Sequence, residues 1–285
     1  MRTDDWHLTQ DLDDFLARAE PFLRSQPALH TVPLNVTETL RTRGRHVYGE
    51  GVPEFGVLER EGAVRASFFR TPPHWLNLTA LTPEEADTLA ARLAALGQRL
   101  PGVNADRDTA AAFTEAWQRH TGATATLRQR QRLYRLGTLT VPDPAPPGVP
   151  RTAVEADRAL LVRWHAEFSA AIGMGTISDA DEWVDARLEQ GGITLWEAPD
   201  GTPVAMAGRT PPVAGQTRVA PVYTPPHLRG RGYAGAATAE TSRTALASGA
   251  QEVLLFTDLA NPTSNGLYQR IGYRAVADFA VYDFG

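Results

Sequence analysis

The chain has 285 residues, 42% hydrophobic and 21% charged, with a formal net charge of −5. That length admits one large or two ordinary domains, and the balance is that of a globular chain rather than a disordered one. There is no cysteine, which excludes disulfides, thiol catalysis and a Cys-ligated zinc site, and no apolar run approaches the ~18 residues of a membrane span.

The first strong punctuation is 137–150, where five prolines and two glycines make a semi-extended linker, with Leu139 and Val141 spaced for an edge strand. We place the boundaries there: a domain over 1–137, a linker over 138–149 and a domain over 150–285. Residues 155–172 form an amphipathic helix with Leu160, Leu161, Trp164 and Phe168 on one side. A second helix spans 179–190, opened by Ser178 as N-cap. Residues 193–197 and 204–209 form a hairpin across the turn Pro199-Asp200-Gly201-Thr202. An apolar strand over 219–223 then runs into a Pro-rich corner, a glycine-spaced loop, and a helix over 233–248 closed by Gly249. A buried strand over 252–258 follows, then a short helix that Thr263 or Ser264 caps and Gly272 stops. One or two terminal strands occupy 274–284.

Strand, glycine loop and helix start together make a phosphate-binding layout. The first turn of a helix has free N–H groups and the positive end of a dipole, and glycines let a phosphate approach the backbone. Three anion loops are in question. A Walker loop needs lysine, and the chain has none. Gly230, Gly232 and Gly235 spell the dinucleotide fingerprint, but Pro225 and Pro226 break the strand that should run directly into it, and too few residues follow for further βα units. Arg229, Gly232 and Ala234 spell R-x-x-G-x-A, which resembles the pyrophosphate loop of the GNAT superfamily of N-acetyltransferases, whose acyl donor is acetyl-CoA. Downstream, the stretch from Asn261 to Tyr273 resembles the second GNAT signature, N-x-x-S-x-x-L-Y-x-x-x-G-F/Y, through Asn261, Ser264, Leu267, Tyr268, Gly272 and Tyr273. The two motifs stand in the family's order.

The resemblance implies an α/β (α+β) fold, a mixed, mostly antiparallel sheet flanked by helices. It also implies a site. The backbone of Val222, Tyr223 and Thr224 would bind pantetheine and the thioester carbonyl. The loop Arg229, Gly230, Arg231, Gly232, Tyr233, Ala234 and Gly235 would hold the pyrophosphate. Asn261 would touch pantetheine, and Tyr268 would be the general acid that protonates the leaving sulfur. Many similar enzymes carry a glutamate on the cofactor strand; residues 217–224 have none. His165, Glu167, Asp258 or an ordered water remain open as the general base.

An offset of 150 residues lays the first half over the second. Gly272 falls on Gly122, the loop on 79–84, the following helix on 84–96, the last strands on 124–136, and Tyr268 on Gln118. We therefore expect two tandem GNAT-like domains. The first is degenerate, because its loop lacks glycine and Glu84 puts a carboxylate where a pyrophosphate would sit. The expected activity is transfer of an acetyl group from acetyl-CoA to the amine of a small-molecule acceptor. The alternatives are a non-catalytic, CoA-responsive module and, third, a dehydrogenase.

All 28 basic residues are arginine, a bias expected of GC-rich bacterial coding rather than of a nucleic-acid surface, since a net-acidic chain binds phosphate backbones poorly. The start, Met-Arg-Thr-Asp-Asp-Trp-His, is polar and acidic, unlike a signal peptide. We expect a cytoplasmic monomer or homodimer with no membrane or nucleic-acid partner and no metal.

Overall fold

The computed structural model describes residues 5–172 and 180–285, which divide into two compact units. Ser178, expected to open a helix, lies outside the described residues. Unit 1 comprises residues up to Leu133 with Asp258–Ala260 and Val276–Gly285; unit 2 comprises Tyr134–Thr257 and Asn261–Ala275. The last ten residues therefore group with the first unit, which differs from the contiguous boundaries expected. Residues 138–149 fall within unit 2, and no strand forms at Leu139 or Val141.

Unit 1 begins with β1 (Asp5–Thr9), α1 (Leu12–Ser25), α2 (Thr31–Arg43), β2 (Glu54–Arg60) and β3 (Ala63–Arg70). It continues with β4 (Leu76–Leu78), α3 (Pro83–Ala95), β5 (Gly102–Asp106), α4 (Arg107–Thr121) and β6 (Ala125–Leu136). Strands β1 to β4 pair antiparallel in sequence, and β4 pairs β5 parallel. The other edge of β5 takes the second half of β12 (Tyr273–Phe284) antiparallel, from Phe279↔Asp106 to Asp283↔Gly102. An open β5 edge is a row of unmet donors and acceptors, and the chain's last strand satisfies it. Helices α3 and α4 bury Leu89, Leu93, Phe113 and Trp117 in a core with Leu76, Val103 and Ala280.

Unit 2 holds β7 (Val149–Thr152), a 3-10 turn (Glu155–Asp157), α5 (Arg158–Ala171), α6 (Ala180–Leu188), β8 (Ile193–Glu197), β9 (Pro203–Arg209) and β10 (Gln216–Tyr223). Beyond β10 come α7 (Tyr233–Ala247), β11 (Glu252–Asp258) and α8 (Pro262–Arg270). Strands β7 to β10 pair antiparallel, and β10 pairs β11 parallel. The expected hairpin is present, with Gly201 at φ 82° and Asp200 bonding the Thr202 N–H at 3.0 Å. Two cores serve this sheet. Leu161, Trp164 and Val184 of α5 and α6 pack with Ile193, Leu195, Met206 and Tyr223. Tyr233, Ala236 and Ala237 of α7 pack with Val219, Val253, Leu255, Tyr268 and Tyr273.

The order strand, helix, strand, helix, strand, with its first pair parallel, occurs at β4–α3–β5–α4–β6 and again at β10–α7–β11–α8–β12. Helices α3 and α7 both begin at the expected 150-residue spacing, Pro83 and Tyr233.

Ending the chain at Ala275 removes the β5 partner together with the buried Phe279, Ala280 and Val281. At roughly 1.5–3 kcal/mol for each large apolar side chain, Phe279 and Val281 alone contribute several kcal/mol to unit 1. Urea unfolding of the truncated protein, followed by tryptophan fluorescence, should show loss or a marked downward shift of one transition. An unchanged profile would contradict this role for the last strand.

Candidate active site

Strand β10 stays with β11 for only three residues, Gln216–Arg218 against Glu252–Leu254. From Val219 to Tyr223 it remains a strand through β9, with an irregular register between Val219 and Val222. Beyond Arg218 its other edge has no ladder partner on β11, so Val222, Tyr223 and Thr224 border a gap between two parallel strands. Buried backbone groups are seldom left without partners, so such an edge is suited to a ligand that supplies its own amide groups. The Thr224 hydroxyl adds to this: it is buried and has no hydrogen-bond partner among the described residues.

The gap leads into the glycine loop. Gly230 and Gly232 have φ of 78° and 84°, left-handed values that favour glycine. Gly232 is the N-cap of α7, no side chain caps this helix, and no acidic residue stands in its first turn. The N–H groups at the start of α7, at Tyr233, Ala234 and Gly235, are thus left for an anion. Arg229 and Arg231 are exposed and brace the loop, Nε of Arg229 donating to the Thr224 carbonyl at 3.0 Å and Nη2 of Arg231 to the His227 carbonyl at 3.4 Å. Helix α3 at the matching place is built the other way. Thr82 and Glu85 form a reciprocal capping box, and Glu84 and Glu85 occupy its first turn. Its N-terminal donors are met by its own side chains.

Residues 138–149 border the loop. A Cβ at Gly232 would lie 3.6 Å from Pro146, and one at Gly235 would lie 2.9 Å from Leu267 and 4.0 Å from Pro142. This wall beside the loop was not read from sequence, where proline signalled only a linker.

Helix α8 brings Tyr268 to the same core. Its N-cap is Asn261, whose side chain accepts from the Ser264 N–H at 3.0 Å. This corrects Thr263 and Ser264 as caps and gives Asn261 a structural task. The buried Tyr134 donates its hydroxyl to Asn265 at 2.9 Å and accepts from Gln269 at 3.2 Å, fixing the helix against β6. Tyr268 is buried, meets Tyr273 edge-on at 6.1 Å, and has its phenol pushed up to about 12 by burial. It therefore carries its proton at neutral pH.

The base candidates separate. Asp258 groups with unit 1, and its two oxygens accept from Gln129 and the Ala260 N–H. Glu167 accepts from the Tyr223 hydroxyl at 2.6 Å, and burial, then Glu167, push that phenol up to about 12. His165 stacks on Trp183 at 4.6 Å. Sequence reasoning did not find the Glu167–Tyr223 pair or Trp183; both depend on α5 and α6 lying on the sheet.

Residues 159–273 match the model of the Acetyltransferase (GNAT) family, a family whose activity is acyl-CoA-dependent acyl transfer. Solved structures share the fold over nearly the whole chain. A GCN5-related N-acetyltransferase from Sphaerobacter thermophilus is 17% identical with TM-score 0.65, covering 98% of this chain and 95% of that one. A GNAT acetyltransferase from Colwellia psychrerythraea is 12% identical with TM-score 0.61, covering 98% of both. A tandem GNAT protein from the clavulanic acid biosynthesis pathway is 13% identical with TM-score 0.56, covering 99% of this chain and 98% of that one. Comparison with curated proteins gives no match. Among the described residues no helix is long and apolar enough to cross a membrane.

Gly232→Ala tests the loop. An L-residue at φ 84° costs roughly 1–3 kcal/mol, which the chain relieves by turning the peptide away from its anion-binding pose. Acetyl-CoA affinity by calorimetry should fall about tenfold, ~1.4 kcal/mol. Full affinity in a folded Gly232→Ala protein would remove the loop from the cofactor site.

Proposed function

We propose that the protein is an acetyl-CoA-dependent N-acyltransferase that acetylates the amine of a small molecule. The observation that carries this reading is the departure of β10 from β11 immediately before an uncapped, glycine-opened helix. The Val222–Thr224 edge supports amide-rich pantetheine, the loop from Arg229 to Gly235 supports pyrophosphate, and the orphaned Thr224 hydroxyl has a polar ligand to meet. Acetyl-CoA supplies an activated acyl group as a thioester. What the chain adds is placement, a polarising backbone edge and a proton donor. Tyr268 holds that proton on its buried hydroxyl, and α8 is pinned through Tyr134 so that the hydroxyl stays in place. The donor site belongs to unit 2 alone, because the capping box of α3 closes the matching helix start in unit 1. The soluble GNAT fold and the acidic composition support a cytoplasmic location.

Free-thiol release from acetyl-CoA, screened across primary amines, tests the reading. Release that depends on an amine is expected; tight acetyl-CoA binding with no release for any amine would favour the CoA-responsive module instead.

Tyr268→Phe removes one hydroxyl and keeps the ring. Acetyl-CoA affinity should hold while kcat falls roughly 10²-fold, the span of general acid–base groups. The sign of the pH dependence follows from the phenol at about 12: a general acid is lost as pH rises through its pKa, so Tyr268 should impose no alkaline decline between pH 7 and 10. A decline in that range that disappears in Tyr268→Phe would contradict the raised value. Equal losses of binding and rate would make Tyr268 a cofactor contact.

A further inference from the structure

The acyl acceptor must lose a proton as it attacks, and β10 carries no carboxylate to take it. Helix α5 packs on β10 through Trp164 and Glu167, and it carries a titratable side chain whose ring nitrogens are unengaged among the described residues. His165 lies on α5, half-buried, and its ring stacks on Trp183 of α6 with centroids 4.6 Å apart and planes 27° apart. Trp183 in turn rests on β9. A Cβ at Gly208 would lie 3.1 Å from the Trp183 ring and 2.9 Å from the Ala220 carbonyl oxygen, so only glycine lets the ring settle there. Gly208 stands opposite the irregular stretch of β10, between the pairs Val219↔Arg209 and Val222↔Ala207. That is where β10 has just left β11. The imidazole is therefore stacked on a ring that packs against β9 beside the irregular stretch of β10, and α5 itself meets the end of β10 through Glu167 and Tyr223. Neither of its nitrogens has a hydrogen-bond partner among the described residues.

We propose that His165 is the general base that accepts the proton of the acceptor amine in the acyl transfer. This rests on the acyltransferase reading of the β10–β11 gap. In the step, the amine lone pair forms the C–N bond to the thioester carbonyl carbon and its proton passes to the free His165 nitrogen. The C–S bond breaks, the sulfur leaves with the bonding pair, and it takes a proton from Tyr268. The products are an amide and a thiol; His165 returns its proton to solvent, and Tyr268 takes one back from solvent.

The surroundings keep the ring neutral. Burial lowers its pKa below the ordinary histidine value, and the Arg187 guanidinium facing it from α6 lowers it further. From β10 the titratable group is Tyr223, bonded to Glu167 of α5 itself. In the 3-10 turn before α5, Asp157 is engaged by Arg151. Among the described residues no carboxylate is bonded to the imidazole to hold it charged, so it is available as a base at neutral pH.

Two nucleophiles separate a base from a packing residue. Phenethylamine is protonated at neutral pH and needs a base; hydroxylamine is already uncharged and needs little help. In His165→Gln, transfer to phenethylamine should drop about 10²-fold, transfer to hydroxylamine should fall only slightly, and the acetyl-CoA Kd by calorimetry should stay within twofold. The wild-type kcat/KM for phenethylamine should show an added downward break as pH drops through a value below the ordinary histidine pKa, absent in His165→Gln, and imidazole NMR should place the His165 titration at that same break. Equal losses for both nucleophiles, no loss, or an NMR titration away from the kinetic one would overturn the proposal. If the wild type binds acetyl-CoA and releases thiol with neither nucleophile, the acyltransferase reading fails first and this proposal with it. If the wild type is active and only the His165→Gln contrast is missing, this proposal alone fails.

Discussion

Everything in the candidate site follows from a sheet that stops pairing. Parallel β10 and β11 share three residues and then part, while β10 is held as a strand by β9 alone. A strand edge opened inside a packed unit leaves peptide groups with no partner, at a cost comparable to a lost hydrogen bond for each one buried. Water, or a ligand with its own amides lying along the edge, meets that cost. Pantetheine, the ligand we propose for this edge, has two. The glycine loop, the uncapped α7, and Tyr268 on α8 are arranged around that one opening.

Helix termini distinguish the two halves of the chain. Helices α3 and α7 begin at matching places in the order of elements, and both follow the first strand of a parallel pair. One starts with Thr82 and a buried Glu85 that consume its free N–H groups; the other starts with Gly232 and offers them. The helix dipole is the same in both, so the two helix starts differ through their capping residues. Glu85 is further anchored by Arg60 at 3.3 Å, which stabilises the closed arrangement.

What the sequence made legible were requirements of the local backbone. Glycines in left-handed conformations, a helix start without a cap, and the spacing of Asn261, Tyr268 and Gly272 are written within a dozen residues each, and the structure places them as elements of one unit. What stayed hidden depended on distant partners. The alternation in 273–284 reads the same whichever strand it joins, so nothing local says that Phe279 pairs with Asp106. Asn261, Thr263 and Ser264 are all good caps, and only the geometry selects Asn261. The prolines of 138–149 marked a break in regular structure but not that Pro146 would flank Gly232. Nothing local marks Gly208 as the glycine against which the Trp183 ring packs.

Amide hydrogen exchange with and without acetyl-CoA tests the central claim most directly, because it reads the peptide groups themselves. Slowed exchange is predicted at Val222, at Thr224, and at Tyr233 to Gly235 of the α7 start, with Thr82 to Glu85 of α3 unchanged. Protection at the α3 start, or none along β10 at concentrations that saturate binding, would contradict a donor site built on the parting of β10 from β11.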